Sequence, residues 1–271
     1  VNLVDPDVAV VVSVGLDHLE WLGPDVEAIG REKAGIFRKG RPAIVGAATL
    51  PRSVLEAARG LGADLAMRGR DFAGVPRNAG SWDYFDAAGR LDALPSPGLA
   101  GDVQVANAAT AIAALRKLSG RLPLGRAAIE RGLRAAFLPG RFQRIPDARG
   151  FEWVLDVAHN PDSARVLAAN LARLPVPGRS LAVCGMLADK DVAEVIGPLS
   201  EQIARWYAAG TRGLEASELA LRARSAGVEM AEGGSVVEAM RLAARDARVG
   251  DRVVVFGSFH TVGPALAELR V

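Results

Sequence analysis

The chain has 271 residues, half of them apolar, which is enough for two cores of ordinary size. Its 33 basic and 31 acidic residues leave a net charge of +2, and no basic run carries interleaved aromatic side chains, so we expect no nucleic-acid partner. The single cysteine, Cys184, excludes a disulfide within the chain, and no apolar segment reaches the ~18 residues of a membrane span. We therefore expect a cytoplasmic protein that does not associate with membranes.

The first half of the sequence predicts a mixed α/β region. A β-branched run over residues 8–14 indicates a strand that is covered on both faces. It follows Val1 so closely that we expect the chain to start inside a domain, with further residues of the natural protein upstream. The elements predicted next are a helix beginning at residues 24–25, a strand over 41–46, a helix over 52–61, a strand over 63–66, an antiparallel meander over 70–94, and helices over 102–115 and 124–136.

The second half alternates strands and helices regularly, which predicts βαβ crossovers and a parallel sheet. The predicted strands cover residues 153–157, 181–185, 205–209, 228–231 and 252–256, and the helices cover 163–173, 191–203, 216–226, 235–247 and a last segment from Pro264. Pro139 and Gly140 indicate a hinge between the halves. We expect domains over residues 1–138 and 139–271.

Two charged residues stand next to this hinge and strand. Asp156 interrupts the apolar strand over 153–157, and because a buried carboxylate needs a partner, we interpret that partner as a ligand. Arg141 follows the hinge, and its planar guanidinium suits phosphate oxygens. The ordinary alternatives are a solvated arginine and an aspartate that closes a turn.

All three histidines follow the carboxyl end of a predicted strand: His18, His159 and His260. Ligands of open α/β sheets bind beyond these strand ends, so the set suggests a cleft lined from both domains. His18, next to Asp17, follows the carboxyl end of a predicted strand, where a metal ion or a phosphate group would bind. The run over 257–261 adds hydroxyls and backbone amides that suit an anion.

Two further polar residues have open interpretations. Lys33 is expected on a semi-buried helix face, and the alternative is a surface lysine whose stem packs on the protein. Asn107, a polar group among alanines, is either an interhelical hydrogen bonder, which we favour, or an amide that reads a base edge. Neither a G-x-x-x-x-G-K-[ST] phosphate loop nor a G-x-G-x-x-G dinucleotide motif after a strand occurs in these residues. Taken alone, the residues predict a two-domain α/β ligand binder.

Six motifs nevertheless resemble, in order, those of the bacterial folylpolyglutamate synthase/dihydrofolate synthase family, a branch of the Mur-ligase superfamily. They are GLDHLEWLG at 15–23, GREKAGIF at 30–37, LPGRFQ at 138–143, DVAHNP at 156–161, GMLADKD at 185–191 and GSFHTV at 257–262. The resemblance implies the back half of a Mur-ligase-type ATPase domain followed by a Rossmann-like parallel α/β domain.

The resemblance also implies an activity. ATP would phosphorylate a pteroate or folyl-glutamate carboxylate, and the amine of L-glutamate would attack the acyl phosphate in a monomeric, Mg²⁺-dependent enzyme. The nearest alternatives are a muramyl-peptide ligase and a non-catalytic nucleotide-binding module. Since the family's phosphate loop would lie upstream of Val1, we expect these residues alone to be inactive.

By position, the resemblance assigns roles to seven residues. His18 would bind Mg²⁺, and Lys33 would act in catalysis as a carbamate that supports a second Mg²⁺. Asn107 would contact the adenine region of ATP, and Arg141 and Asp156 would bind ATP between the domains. His159 and Ser258 would help to bind the glutamate, and His159 would also act in catalysis.

Overall fold

The computed structural model describes residues 2–16, 19–77 and 80–271, and the chain divides into two units. Unit 1 consists of Val1–Gly98 and Asp102–Phe137, and unit 2 consists of Leu99–Gly101 and Leu138–Val271. Both contain helices and strands, so the expected α/β fold class is confirmed.

Unit 1 combines a parallel sheet with an antiparallel meander. Its strands are β1 (Ala9–Val11), β2 (Pro42–Val45), β3 (Asp64–Met67), β4 (Phe72–Pro76), β5 (Ser81–Asp86) and β6 (Gly89–Pro95). Its helices are α1 (Leu19–Leu22), α2 (Val26–Ala34), α3 (Arg52–Leu61), α4 (Val103–Arg116) and α5 (Arg126–Ala135). The parallel strands lie in the order β1-β2-β3, and the meander in the order β4-β5-β6.

Alternation along β2 places apolar side chains on both faces of the parallel sheet. Ala43 packs with Val54 and Ala58 of α3, whereas Ile44 joins a second core formed by the meander, α4 and α5. The small residues of α4 allow this helix to approach the meander closely. The expected strand over 8–14 is shorter in the structure, since only Ala9–Val11 pairs with β2.

Unit 2 contains a six-stranded sheet with helices on both faces. Its strands are β7 (Gln143–Pro146), β8 (Glu152–Asp156), β9 (Ser180–Cys184), β10 (Ile203–Gly210), β11 (Met230–Ser235) and β12 (Arg252–Phe256). Its helices are α6 (Pro161–Arg173), α7 (Val192–Ile196), α8 (Ala216–Ala223), α9 (Val236–Asp246) and α10 (Phe259–Leu269), with short 3₁₀ helices at Gly197–Leu199 and Arg224–Ala226.

The strand order is β11-β10-β9-β12-β8-β7, and all pairs are parallel except β7 with β8. Helices α6, α7 and α8 cover one face of this sheet, while α9 and α10 cover the other. Because both faces are buried, β12 is apolar from Val253 to Phe256. The crossovers bring the carboxyl ends of β8, β12 and β9 side by side.

The structure differs from the sequence-based expectation at three places in unit 2. The helix expected over 191–203 ends at Ile196 and is followed by a 3₁₀ turn, Gly197–Leu199, before β10 begins at Ile203. Strand β7 was not expected, and the last helix begins at Phe259 rather than at Pro264, which lies inside it. The helix starts early because Ser258 caps it. In the ranges that the structure describes, no helix is both long and apolar enough to cross a membrane.

Candidate ligand-binding site

The carboxylate of Asp156, at the end of β8, already has two backbone partners. Its Oδ2 accepts from the amide of Phe142 and its Oδ1 from the amide of Ala158, both at 2.8 Å. Burial raises the pKa of Asp156, and the two amides, Arg141 and His159 oppose that rise. Each oxygen of Asp156 thus has one backbone partner, and binding of a ligand by this carboxylate stays a prediction.

The segment before β7 is fixed tightly on unit 2. Gly140 and Phe142 both have left-handed backbones, with φ of 67° and 46°. The carbonyl of Gly140 accepts from the amide of Val157 at 2.9 Å, and the amide of Gly140 donates to Gln143 Oε1 at 3.0 Å. A Cβ at Gly140 would lie 2.7 Å from a methyl of Val262, so only glycine fits this close approach.

Arg141 is held between these two residues, and its side chain reaches an aromatic ring. Its guanidinium carbon lies 5.3 Å from the ring centroid of Phe259, the first residue of α10. Among the described residues, this guanidinium makes no hydrogen bond and no ion pair. All of its N–H donors remain available to an anion.

His159 lies in the turn between β8 and α6. Its Nδ1 donates to the carbonyl of Val157 at 2.8 Å, and its amide donates to the hydroxyl of Ser163 at 3.0 Å. Asn160 and Ser163 form a capping box that begins α6. Because a carbonyl can only accept, Nδ1 carries a proton, and this bond orients the ring in the turn.

Ser258, after β12, is buried and serves as the cap of α10. Its hydroxyl accepts from the amide of Thr261 at 3.2 Å and lies 3.0 Å from the Thr261 hydroxyl, which donates to the carbonyl of Gly185 at 2.5 Å. At Gly257, φ is 124° and a Cβ would overlap the same carbonyl. His260, in the first turn of α10, is exposed.

Four of the expected site residues thus gather at one edge of the sheet of unit 2. Phe256 pairs with Asp156 on one side and with Cys184 on the other, which brings the loops after β8, β12 and β9 together. Arg141 and His159 are both electrostatic neighbours of Asp156. Ser258 follows β12 at this same edge.

Of the three expected site residues of unit 1, Lys33 and Asn107 lie among the described residues, and both are exposed. Asn107 lies on α4, and its Nδ2 donates to Gln104 Oε1 of the same helix at 3.2 Å. The hydrogen bond is therefore within one helix, and the interhelical bond that we favoured is wrong. Lys33 is exposed on α2, not semi-buried, because this helix turns Ile29, Gly30 and Ala34 inward. Asp17 and His18 lie outside the described residues.

Sequence reasoning missed three contributors to this site. They are Phe259, whose ring contacts the guanidinium of Arg141, and the amides of Phe142 and Ala158, which bind Asp156. Phe259 gave no signal of its exposure, because it shares the apolar helical spacing of Val262 and Leu266. The amides left no signal in the side-chain pattern.

The family model for the Mur ligase glutamate ligase domain matches residues 140–259. The dihydrofolate synthase/folylpolyglutamate synthase of Escherichia coli (strain K12) is 44% identical over 264 residues, which cover 96% of this chain and 60% of that protein. The chain therefore spans about three fifths of the length of this curated relative.

Solved structures show the same likeness. The structure of E. coli FolC in complex with DHPP and ADP is 41% identical, with a TM-score of 0.89 over 99% of this chain and 63% of that one. A bifunctional folylpolyglutamate synthase/dihydrofolate synthase with Mn, AMPPNP and L-glutamate bound is 43% identical, with a TM-score of 0.88 over 100% and 63%. The resemblance drawn from the six motifs is confirmed: along nearly its whole length this chain is similar to dihydrofolate synthase/folylpolyglutamate synthases, and its second half matches the Mur ligase glutamate ligase domain.

Proposed function

We propose that the protein is part of an ATP-dependent ligase that joins L-glutamate to dihydropteroate, to the γ-carboxyl of folates, or to both. The observation that carries this proposal is the 44% identity to the E. coli dihydrofolate synthase/folylpolyglutamate synthase, which extends over 96% of the chain. The relatives with ADP, or with AMPPNP, Mn and L-glutamate, support the same ligands here.

The proposed reaction has two steps. The acceptor carboxylate attacks the γ-phosphorus of ATP, which forms an acyl phosphate and releases ADP. The amine of L-glutamate then attacks the acyl carbon, phosphate leaves, and an amide forms after the amine loses a proton. The protein's part in such a reaction is chiefly to position the groups and to neutralise negative charge on the transferring phosphoryl group.

Arg141 and Asp156 fit a nucleotide in different ways. The guanidinium of Arg141 keeps all of its donors and lies at the strand-end edge where α/β sheets bind ligands. Its fixed charge would contact phosphate oxygens. Asp156, whose oxygens each accept one amide, retains lone pairs that can accept from a ribose hydroxyl. In unit 1, the exposed amide of Asn107 would contact the adenine region.

His159 and Ser258 would serve the incoming glutamate. His159, whose ring is oriented by the bond from its Nδ1 to the carbonyl of Val157, would contact the glutamate and act in catalysis there. Ser258 would act less directly, because its hydroxyl caps α10 and so fixes the first-turn amides of that helix. Those amides carry partial positive charge that favours a carboxylate.

For the metal we propose His18 and a carbamate on Lys33. Within residues 2–16, 19–77 and 80–271, no group of three or more His, Cys, Asp or Glu is arranged to hold a metal ion. Mg²⁺ commonly binds through one or two protein groups plus substrate phosphates, and when bound it would neutralise phosphate charge. Exposure of Lys33 leaves its amine open to bicarbonate-derived CO₂. Native mass spectrometry in bicarbonate that shows an unmodified Lys33 with metal bound would refute the carbamate.

The remaining parts of the proposal concern organisation. Residues 1–138 would form the C-terminal part of the ATP-binding domain, and residues 139–271 the glutamate-ligase domain. We propose a cytoplasmic protein, in keeping with its single, buried cysteine, and a monomer, as the family resemblance implies.

The proposal is tested by phosphate release from ATP by the full-length gene product that contains these residues. The assay supplies L-glutamate with dihydropteroate, with tetrahydrofolate or with a muramyl-peptide acceptor. We expect turnover with at least one of the first two, and the preferred one identifies the activity. Turnover with only the muramyl acceptor would favour a muramyl-peptide ligase, and nucleotide binding without any turnover would favour a binding module.

A further inference from the structure

The guanidinium of Arg141 rests on the ring of Phe259, and we propose that Phe259 is a positioning residue that holds Arg141 ready for a phosphate group. This inference rests on the proposed function, because it assumes that Arg141 binds the nucleotide. It adds a residue whose contribution acts through Arg141 rather than on the ligand.

Both partners of this contact have rigid backbones. Arg141 lies between Gly140 and Phe142, whose left-handed conformations and backbone hydrogen bonds fix the segment on β8. Phe259 directly follows Ser258, whose cap is tied through Thr261 to the carbonyl of Gly185. The two side chains that meet at 5.3 Å therefore both extend from anchored chain segments.

The ring is not required by the apolar core. Phe259 is 64% exposed and does not belong to the buried clusters on either face of the sheet of unit 2. Exposing an aromatic side chain forgoes much of the free energy that its burial would contribute. Among the described residues, the notable contact of its ring is the cation–π contact with the guanidinium of Arg141.

A ring holds an arginine in a way that a carboxylate cannot. A carboxylate partner would occupy two N–H donors and cancel the charge, which would leave less for a phosphate. A stacked ring uses only the face of the guanidinium, so its five N–H donors point outward at the edge. The nearby acid, Asp156, does not compete, because its oxygens accept the amides of Phe142 and Ala158.

The expected size of the effect follows from the exposure of the pair. Cation–π contacts at exposed sites are weak, so loss of the ring should reduce nucleotide affinity by about two- to fivefold. Phe259→Leu removes the π face but keeps an apolar side chain, whereas Phe259→Tyr keeps the face. Leu221→Ala, which truncates another exposed apolar side chain of unit 2, is the matched control.

The test is calorimetric titration of AMPPNP with Mg²⁺ into the full-length gene product. We expect weaker binding by Phe259→Leu, near-normal binding by Phe259→Tyr and no change in Leu221→Ala. In an Arg141→Ala background, Phe259→Leu should cause no further loss, because the ring acts only through the arginine. An equal loss in both backgrounds would show that the ring contacts the ligand itself and would overturn the proposal.

A ligand-free measurement separates this inference from the proposed function. Ring current from Phe259 should shift the side-chain NMR signals of Arg141 upfield, and Phe259→Leu should abolish that shift. If the wild-type protein does not bind AMPPNP, the proposed function fails, while the NMR shift still decides whether Phe259 holds Arg141. Absence of the shift in the wild-type protein would overturn the positioning proposal alone.

Discussion

Asp156 accepts a hydrogen bond from the amide of Phe142 at 2.8 Å, across 14 residues of sequence. This bond attaches the segment that contains Arg141 to the end of β8. The backbone of Phe142 is left-handed at this point, and its amide N–H points to the carboxylate. The acid and the arginine are thus coupled through the backbone. A change at Asp156 should displace Arg141 even though the two side chains make no direct bond.

The pH dependence of stability should reveal the burial of Asp156. Its pKa is raised in the folded state, so the folded protein holds this proton more tightly than the unfolded chain. Its contribution to stability is therefore present below the usual aspartate pKa and is lost as the pH rises through the folded value. Urea unfolding measures the free energy of unfolding of the wild type and of Asp156→Asn. We expect the wild-type value minus the variant value to be larger at pH 3 than at pH 7.

Asp147 provides an internal comparison of opposite sign. The guanidinium of Arg149 donates to its carboxylate and holds the pKa of Asp147 well below its usual range. Its contribution is thus present above the usual aspartate pKa and is lost as the pH falls towards the folded value. The corresponding difference for Asp147→Asn should be smaller at pH 3 than at pH 7. If both differences move in the same direction, the burial argument for Asp156 fails.

Removal of the Arg141 side chain should weaken nucleotide binding strongly. Arg141→Ala deletes the charged hydrogen bonds to phosphate that we propose, which corresponds to a loss of about ten- to hundredfold in AMPPNP affinity. Arg141→Lys keeps the charge but loses the planar fork and the stacked face, so its affinity should lie nearer to the alanine variant. Wild-type affinity in Arg141→Lys would mean that a point charge is sufficient.

Much of the fold was predictable because apolar periodicity dominates it. The run at Val253–Val255 predicted β12, and α3 follows its predicted bounds. Strand β7 was missed because Gln143–Pro146 is a polar edge strand that ends in proline and has no apolar run. The starting point of α10 was missed because Pro264 was taken as the first residue of the helix.

The site was less predictable than the fold, and the reason is geometric. The side-chain types at Arg141, Asp156 and His159 indicated a site. The amide of Phe142, which binds Asp156, belongs to a residue with a left-handed backbone, and the sequence gives no signal for that conformation at a residue other than glycine. Lys33 was expected to be semi-buried because it follows Ile29 by one helical turn and is flanked by Ala34 and Ile36. Adjacent helical residues point about 100° apart, so its neighbour's burial was a poor guide.

Stability should depend strongly on one buried arginine in β12. Arg252 is 1% exposed and donates to Glu152 at 2.8 Å and to the carbonyls of Leu171 and Leu174 at the end of α6. Arg252→Met would leave these acceptors without their partner, and we expect a loss of about 3–5 kcal/mol in urea unfolding.

Arg144→Ala is the control for that variant, since Arg144 binds the same carboxylate of Glu152 at 2.7 Å but is 51% exposed. An exposed ion pair contributes little, so we expect a loss below about 1 kcal/mol. Equal losses in the two variants would contradict the claim that the buried contacts of Arg252 carry the stabilisation.

In unit 1, Glu27 of α2 caps a neighbouring helix. Its two carboxylate oxygens accept from the amides of Arg52 and Ser53, at 3.0 and 2.7 Å, at the start of α3. Glu27→Ala should lower the melting temperature measured by circular dichroism, because two first-turn amides lose their acceptor. Glu56→Ala, which removes only the exposed pair with Arg52, should have a smaller effect. A larger effect of Glu56→Ala would refute the capping role.

The central claim, that the protein belongs to a ligase acting through an acyl phosphate, is tested most directly by isotope transfer. The full-length gene product is supplied with ATP, L-glutamate and a pteroate or folate acceptor whose reacting carboxylate carries ¹⁸O at both oxygens. The proposed reaction places one ¹⁸O atom in each released phosphate, because the carboxylate oxygen that attacks ATP leaves with the phosphoryl group. Amide product accompanied by unlabelled phosphate would contradict the account.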